Sequence, residues 1–80
     1  MEPYKQRMIA EMVELHTRYC AACDALFNEK IPWDDRELIR EQAGHMMRYE
    51  RVLRQRMQRA GIDVQQIDEI MGNTMKWRFL

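Results

Sequence analysis

Eighty residues with 13 basic and 13 acidic side chains, a formal net charge of zero, leave room for one small domain. They exclude the whole-protein basic field that grips bulk nucleic acid. A core of this size is marginal alone, so oligomerisation, a metal or unusually good helix packing is expected to contribute. The chain shows no secretory leader and no apolar run long enough for a bilayer, so the expected setting is the cytoplasm, without a membrane partner. In that compartment the two cysteines are thiols or ligands rather than a disulfide. Eight methionines suggest an adaptable core or contact surface.

The first predicted helix covers residues 3–28, with Pro3 tolerated in its opening turn. Ile9, Met12, Val13, His16, Cys20, Cys23 and Phe27 form one stripe, widened by Met8, Leu15, Tyr19 and Leu26, with Arg7, Glu11, Glu14 and Arg18 opposite. That arc is wider than one partner helix covers, so a third segment or a second subunit must cover the rest.

Ile31-Pro32 breaks the helix, and Asp34 with Glu37 reads as a capping box that restarts it, Trp33 and Leu38 supplying a hydrophobic staple. The second predicted helix covers 34–60. Gly61 ends it as a Schellman stop, with Ile62 reaching back to Met57. Leu38, Ile39, His45, Met46, Tyr49, Val52, Leu53, Met57 and Ala60 fall on one broad side, interrupted by Gln42 and Arg56. An arginine there either snorkels to water or faces a ligand or partner, because an unpaired buried charge is too costly. Acidic residues load this helix's start and five arginines lie between Arg48 and Arg59, against Glu50 alone. The helix dipole accounts for that polarity, and an anion-binding patch is the alternative.

The short linker makes the two helices antiparallel neighbours, which places His16 near His45 and Met46, Cys20 near Gln42, Cys23 near Ile39, and Tyr4 and Gln6 near Arg56. A third helix is expected at 63–72, opened by Asp63 and Gln66 and closed by Gly72-Asn73. The aromatic tail 73–80 is expected to dock on its own domain or on a neighbour. The fold class is therefore all-α: a long antiparallel hairpin, a short third helix and a docking tail in one domain, 1–80, assembled as a homo-oligomer.

No nucleophile-base-acid set and no phosphate-cradling glycine loop is present, so an enzyme is not expected, nor a cofactor. His16, Cys20, Cys23 and His45 have the donor types of a tetrahedral zinc site, yet Cys and His on an apolar helix stripe read first as core residues. The stronger lead is cations beside flat rings, which suit phosphates and bases respectively: Tyr4, Arg7, Arg48, Tyr49, Arg51, Arg56, Trp77, Arg78 and Phe79. Such residues can grip a small nucleotide at a subunit interface. Their alternative reading is packing rings and a solvated charged face.

Pro3-Tyr4, Gln6-Arg7, Glu11, Glu14-Leu15, Phe27, Glu37-Leu38, Gln42, Met46, Tyr49, Val52-Leu53 and Arg56 resemble a family of small helical-hairpin proteins of crAss-like and other tailed phages. The resemblance covers residues 3 to 57, and the third helix and the Trp77-Arg78-Phe79 tail depart from it. It implies a phage accessory protein in the cytoplasm of an infected bacterium. By a looser likeness to phage sponge proteins, it implies an oligomer that sequesters a cyclic nucleotide immune signal and blocks CBASS- or Thoeris-type defence. On that analogy Tyr4 or Tyr49 stacks a base and Arg7 or Arg56 holds a phosphate. An inhibitor of a host defence protein such as a CRISPR effector, and a self-assembling phage helper, are the expectations from other classes.

Overall fold

A computed structural model describes residues 2–63 and 65, and in them the chain forms two helices, with no strand among the described residues. Helix α1 runs Pro3–Ala25 and α2 runs Trp33–Arg59. The all-α expectation holds for this span. The third helix at 63–72 lies outside the described residues except for its first positions, where Asp63 Oδ1 accepts the Gln65 amide at 3.1 Å, as an N-cap does. The tail 73–80, with Trp77 and Arg78, lies wholly outside them.

The expected end of α1 at residue 28 is corrected to Ala25. The amides of Leu26, Phe27 and Asn28 turn to carbonyls three residues back, at Cys23, Asp24 and Ala25. That tighter winding closes a helix. Asn28 then takes the Lys30 amide on its side chain at 3.0 Å and the Ile31 amide on its carbonyl at 3.1 Å. This local turn competes with helix for the same groups.

The expected capping box is also corrected. α2 starts one residue earlier, with Pro32 at the N-cap in extended conformation and no side-chain cap; the Pro32 carbonyl takes the Arg36 amide at 3.0 Å. Pro32 has φ −55° and ψ 148°, the geometry its ring prefers before a helix. Asp34 and Asp35 thus sit inside the first turn and act through the helix dipole. Trp33 and Leu38 are 65% and 64% exposed, so they form no staple.

The other end follows expectation. Gly61 has φ +82°, its amide donates to Gln58 O, and the Ile62 amide donates to Met57 O at 3.0 Å. These are the paired bonds of a Schellman stop. Ile62 folds back against the core that contains Met57.

That core joins the two helices. Met8, Met12 and Leu15 of α1 pack with Leu53 and Met57 of α2, and Ile9, Met46, Ala60 and Ile62 close around them. One line of buried and half-buried positions on each helix follows an alternating three-four spacing: Lys5, Met8, Met12, Leu15, Tyr19 and Ala22 on α1, continued by its C-cap Leu26, and Arg36, Ile39, Ala43, Met46, Glu50, Leu53 and Met57 on α2, continued by its C-cap Ala60; His16, with Ile9, Cys20 and Cys23, widens the covered side of α1 beyond that line. Two rods meeting along a seam of this period pack as in a coiled coil. The broad apolar side expected for α2 is therefore split. Its Ile39–Met46–Leu53–Met57 edge is inside, while Leu38, His45, Tyr49 and Val52 are exposed.

Candidate functional site

The residues left outside the seam also fall into stripes of the same period. Tyr4, Arg7, Glu11, Glu14 and Arg18 form one on α1, and Asp35, Leu38, Gln42, His45, Tyr49, Val52, Arg56 and Arg59 form one on α2. A shallow recess of about 120 Å³ joins them, lined by Glu11, Glu14, Leu15 and Arg18 from α1 and by Tyr49 from α2. The two stripes therefore flank one side of the molecule. Of the residues singled out from the sequence, Tyr4, Arg7, Tyr49 and Arg56 share that side.

Arg48 and Arg51 do not join them. Arg48 is turned to the outer back of α2, and Arg51 to its other flank, so the Arg48-Tyr49-Arg51 grouping comes apart. Gln42 and Arg56, expected in the middle of the apolar face, are both exposed on its edge. A guanidinium at Arg56 thus reaches water without burial cost.

The recess has an acidic rim. Glu14 is bonded to Arg18 within α1, which leaves Glu11 as the excess charge beside the Tyr49 ring. Phosphates are repelled from such a place. Arg7, Arg56 and Arg59 lie away from that rim, toward the end where Met8 of α1 packs with Met57 of α2, and a cationic end of this kind suits an anion. Glu11, Glu14 and Arg18 were not legible as site residues by residue type. Their three-four spacing from Tyr4 and Arg7 was the available signal.

The four candidate zinc ligands do not converge. His16 is buried and its Nε2 lies 3.6 Å from Cys20 Sγ, one helical turn away. His45 faces solvent, its side chain 66% exposed, with Nε2 4.0 Å from Glu41 Oε1. Among the described residues no three of His, Cys, Asp and Glu are placed to hold a metal ion. Neither cysteine is in a disulfide. Cys23 is half-buried and lies beside the Tyr19 phenol instead. Burial pushes the Tyr19 phenol up to about 12, and the neighbouring Cys23 thiol and Glu50 carboxylate act in the same sense.

Among the described residues no helix is long and apolar enough to cross a membrane. The Sequestin family model matches residues 2–59, a span that takes in both helices and the side just described. No curated protein and no solved structure matches the chain.

Proposed function

The chain belongs to the Sequestin family, and from that premise we propose that it is a non-enzymatic binding protein that sequesters a small anionic signal, a cyclic nucleotide of bacterial immune defence. The family's name points to a sequestering role, and the span of the match includes every candidate contact on α1 and α2. The observation that carries the finer reading is the side shared by Tyr4, Arg7, Tyr49 and Arg56, with Arg59 completing its cationic end.

Phosphates are held at that end by the Arg7 and Arg56 guanidinium forks, which match phosphate oxygens better than lysine does. Tyr4 and Tyr49 offer half-exposed rings, 45% and 46% accessible, on which a base stacks. The acidic rim around Tyr49 turns the phosphates away and leaves that ring to the base, so the arrangement orients the ligand as well as binding it. A chain of this kind serves a phage inside an infected bacterium, where removing the signal from solution silences the defence it triggers.

Isothermal titration against a panel of cyclic di- and trinucleotides and cyclic ADP-ribose isomers tests the reading. Saturable binding to one member is expected; heat of dilution alone across the panel overturns it.

A second reading rests on the turn. Phe27 and Trp33 flank it, 84% and 65% exposed. Large rings left in water at the tip of a helix pair suit a protein partner, such as a host defence complex. Recovery of one stable host complex that Phe27→Ser with Trp33→Ser abolishes, together with silent titrations, favours this reading over the first.

A further inference from the structure

The flank of α1 that turns away from the recess carries His16, Cys20 and Cys23, each one turn from the next in the C-terminal half of the helix. His16 is 5% exposed, yet one of its ring nitrogens is unsatisfied. Its Nδ1 has no hydrogen-bond partner among the described residues, while its Nε2 lies 3.6 Å from Cys20 Sγ. An apolar side chain in the same place would carry no orphaned atom. What the imidazole has there is the thiol, and a ring nitrogen beside a sulfur is the pairing that makes a cysteine nucleophilic.

Both sulfur-bearing residues are half-buried, so a small solute reaches them. Their spacing is also that of a closable pair. Residues three apart on an α-helix have Cα atoms about 5 Å apart, inside the roughly 4.4–6.8 Å that a disulfide spans. The pair lies where α1 is already giving up its regular winding, the Leu26 amide being shared between the Ala22 and Cys23 carbonyls at 3.3 and 3.2 Å. A last turn of this kind is the part of a helix that readjusts most easily.

We infer that Cys20 and Cys23 form a peroxide-responsive thiol pair, in which Cys20 attacks, His16 serves as its base and Cys23 closes an intrahelical disulfide. His16 Nε2 takes the Cys20 proton, and the thiolate attacks one oxygen of hydrogen peroxide. An S–O bond forms as the O–O bond breaks, and the departing hydroxide leaves as water with the proton held by His16. Cys20 is then a sulfenic acid, oxidised by the two electrons that reduced the peroxide. Cys23 next turns from Tyr19 and attacks the Cys20 sulfur. The S–S bond forms as the S–O bond breaks, and hydroxide leaves with the Cys23 proton as a second water. Two thiols and one peroxide thus give one disulfide and two waters, and a small thiol reverses the change by exchange. The pair lies on the side opposite Tyr4, Arg7, Tyr49 and Arg56, so a chain that binds no nucleotide still satisfies the inference.

The probe is hydrogen peroxide in modest excess over the reduced full chain, followed by iodoacetamide and peptide mass mapping without reductant. Loss of two hydrogens per chain with neither cysteine alkylated is expected; methionine oxidation adds oxygen and is read separately. Before peroxide, Cys20 alkylates about tenfold faster than Cys23 at neutral pH, and His16→Gln erases that ratio, with Cys23 as the internal reference. Cys23→Ser stops at the Cys20 sulfenic acid, which dimedone traps, and Cys20→Ser forms no disulfide within the chain. The cysteine variants decide the matter should circular dichroism show that His16→Gln does not fold. Equal alkylation of the two cysteines in the native chain overturns the inference. So does dimedone labelling at Cys23 rather than Cys20, a disulfide that forms only between chains, or a ratio that survives in folded His16→Gln.

Discussion

Arg54 reaches back one helical turn to donate a 3.1 Å hydrogen bond to Glu50 Oε1, and Glu50 occupies a seam position with only 7% of its surface exposed. A carboxylate at that depth is tolerable because its partner comes with it on the same helix. The arginine side chain is itself 24% exposed, so the pair keeps contact with water through it.

The two halves of this pair therefore have unequal consequences. Arg54→Ala strands the carboxylate and is expected to lower stability by roughly 2–3 kcal/mol. Glu50→Leu removes the buried charge and lets Arg54 turn outward, so it is expected to be neutral or stabilising. Urea denaturation of both variants checks the asymmetry; equal losses would contradict it.

Two glycines give opposite expectations for the same substitution. Neither Gly44 nor Gly61 has any atom within 4 Å of an added Cβ, so only the backbone decides. Gly44 lies inside α2, where alanine is better by about 1 kcal/mol. Gly61 has φ +82°, a conformation that costs a side-chain-bearing residue about 1–2 kcal/mol. Thermal melts should show Gly44→Ala raising Tm and Gly61→Ala lowering it.

The success at Gly61 and the failure at Asp34 show what was legible. A Schellman stop is a local device, fixed by one residue's backbone freedom and an apolar neighbour such as Ile62, so a few adjacent residues suffice to read it. The N-terminus of α2 looked equally local, but Pro32 is itself set for the N-cap role, which draws Asp34 into the first turn and leaves Trp33 in water. The helical wheel misled in another way. At 100° per residue Leu38 and Ile39, or Val52 and Leu53, fall on one broad arc. The three-four seam takes Ile39 and Leu53 inside and leaves Leu38 and Val52 out. Once the seam is fixed, the stripe carrying Tyr49 and Arg56 and the stripe carrying Tyr4 and Arg7 follow from spacing alone. Residue types could not do this, because Glu50 inside and Leu38 outside each contradict their hydropathy.

Tyr19 gives the molecule an alkaline limit. Its phenol is raised in the fold from the ordinary 10.0 to about 12, so the folded state holds the proton more tightly than the unfolded state does. Stability from this group is complete below pH 10 and is lost as pH rises from 10 toward 12, where the unfolded chain has already released the proton. Tyr19→Phe has no proton to lose. It is expected to flatten that part of the stability-against-pH curve, while giving up the hydroxyl beside Cys23. A slope between pH 10 and 12 that persists unchanged in Tyr19→Phe would assign it to other groups.

The proposed ligand side predicts a pattern among arginines that composition cannot distinguish. Arg7 and Arg56 lie on stripes of one side, while Arg48 is at the back of α2 and also exposed. If phosphates are gripped by Arg7 and Arg56, alanine at either removes one charge-assisted contact of about 1.5–3 kcal/mol, a loss of roughly tenfold to a hundredfold in affinity. Arg48→Ala removes the same charge from the molecule and should leave affinity within about twofold, the remnant of a screened long-range field. Tyr4→Leu and Tyr49→Leu separate stacking from apolar contact, and the ring the ligand uses should cost about 1–3 kcal/mol. Titration of the cyclic nucleotide that the wild-type chain binds, repeated with these variants at two salt concentrations, reads all of it. Equal losses at Arg48 and Arg56 would reduce the site to diffuse charge attraction, and the assignment of phosphates to Arg7 and Arg56 would fall with it.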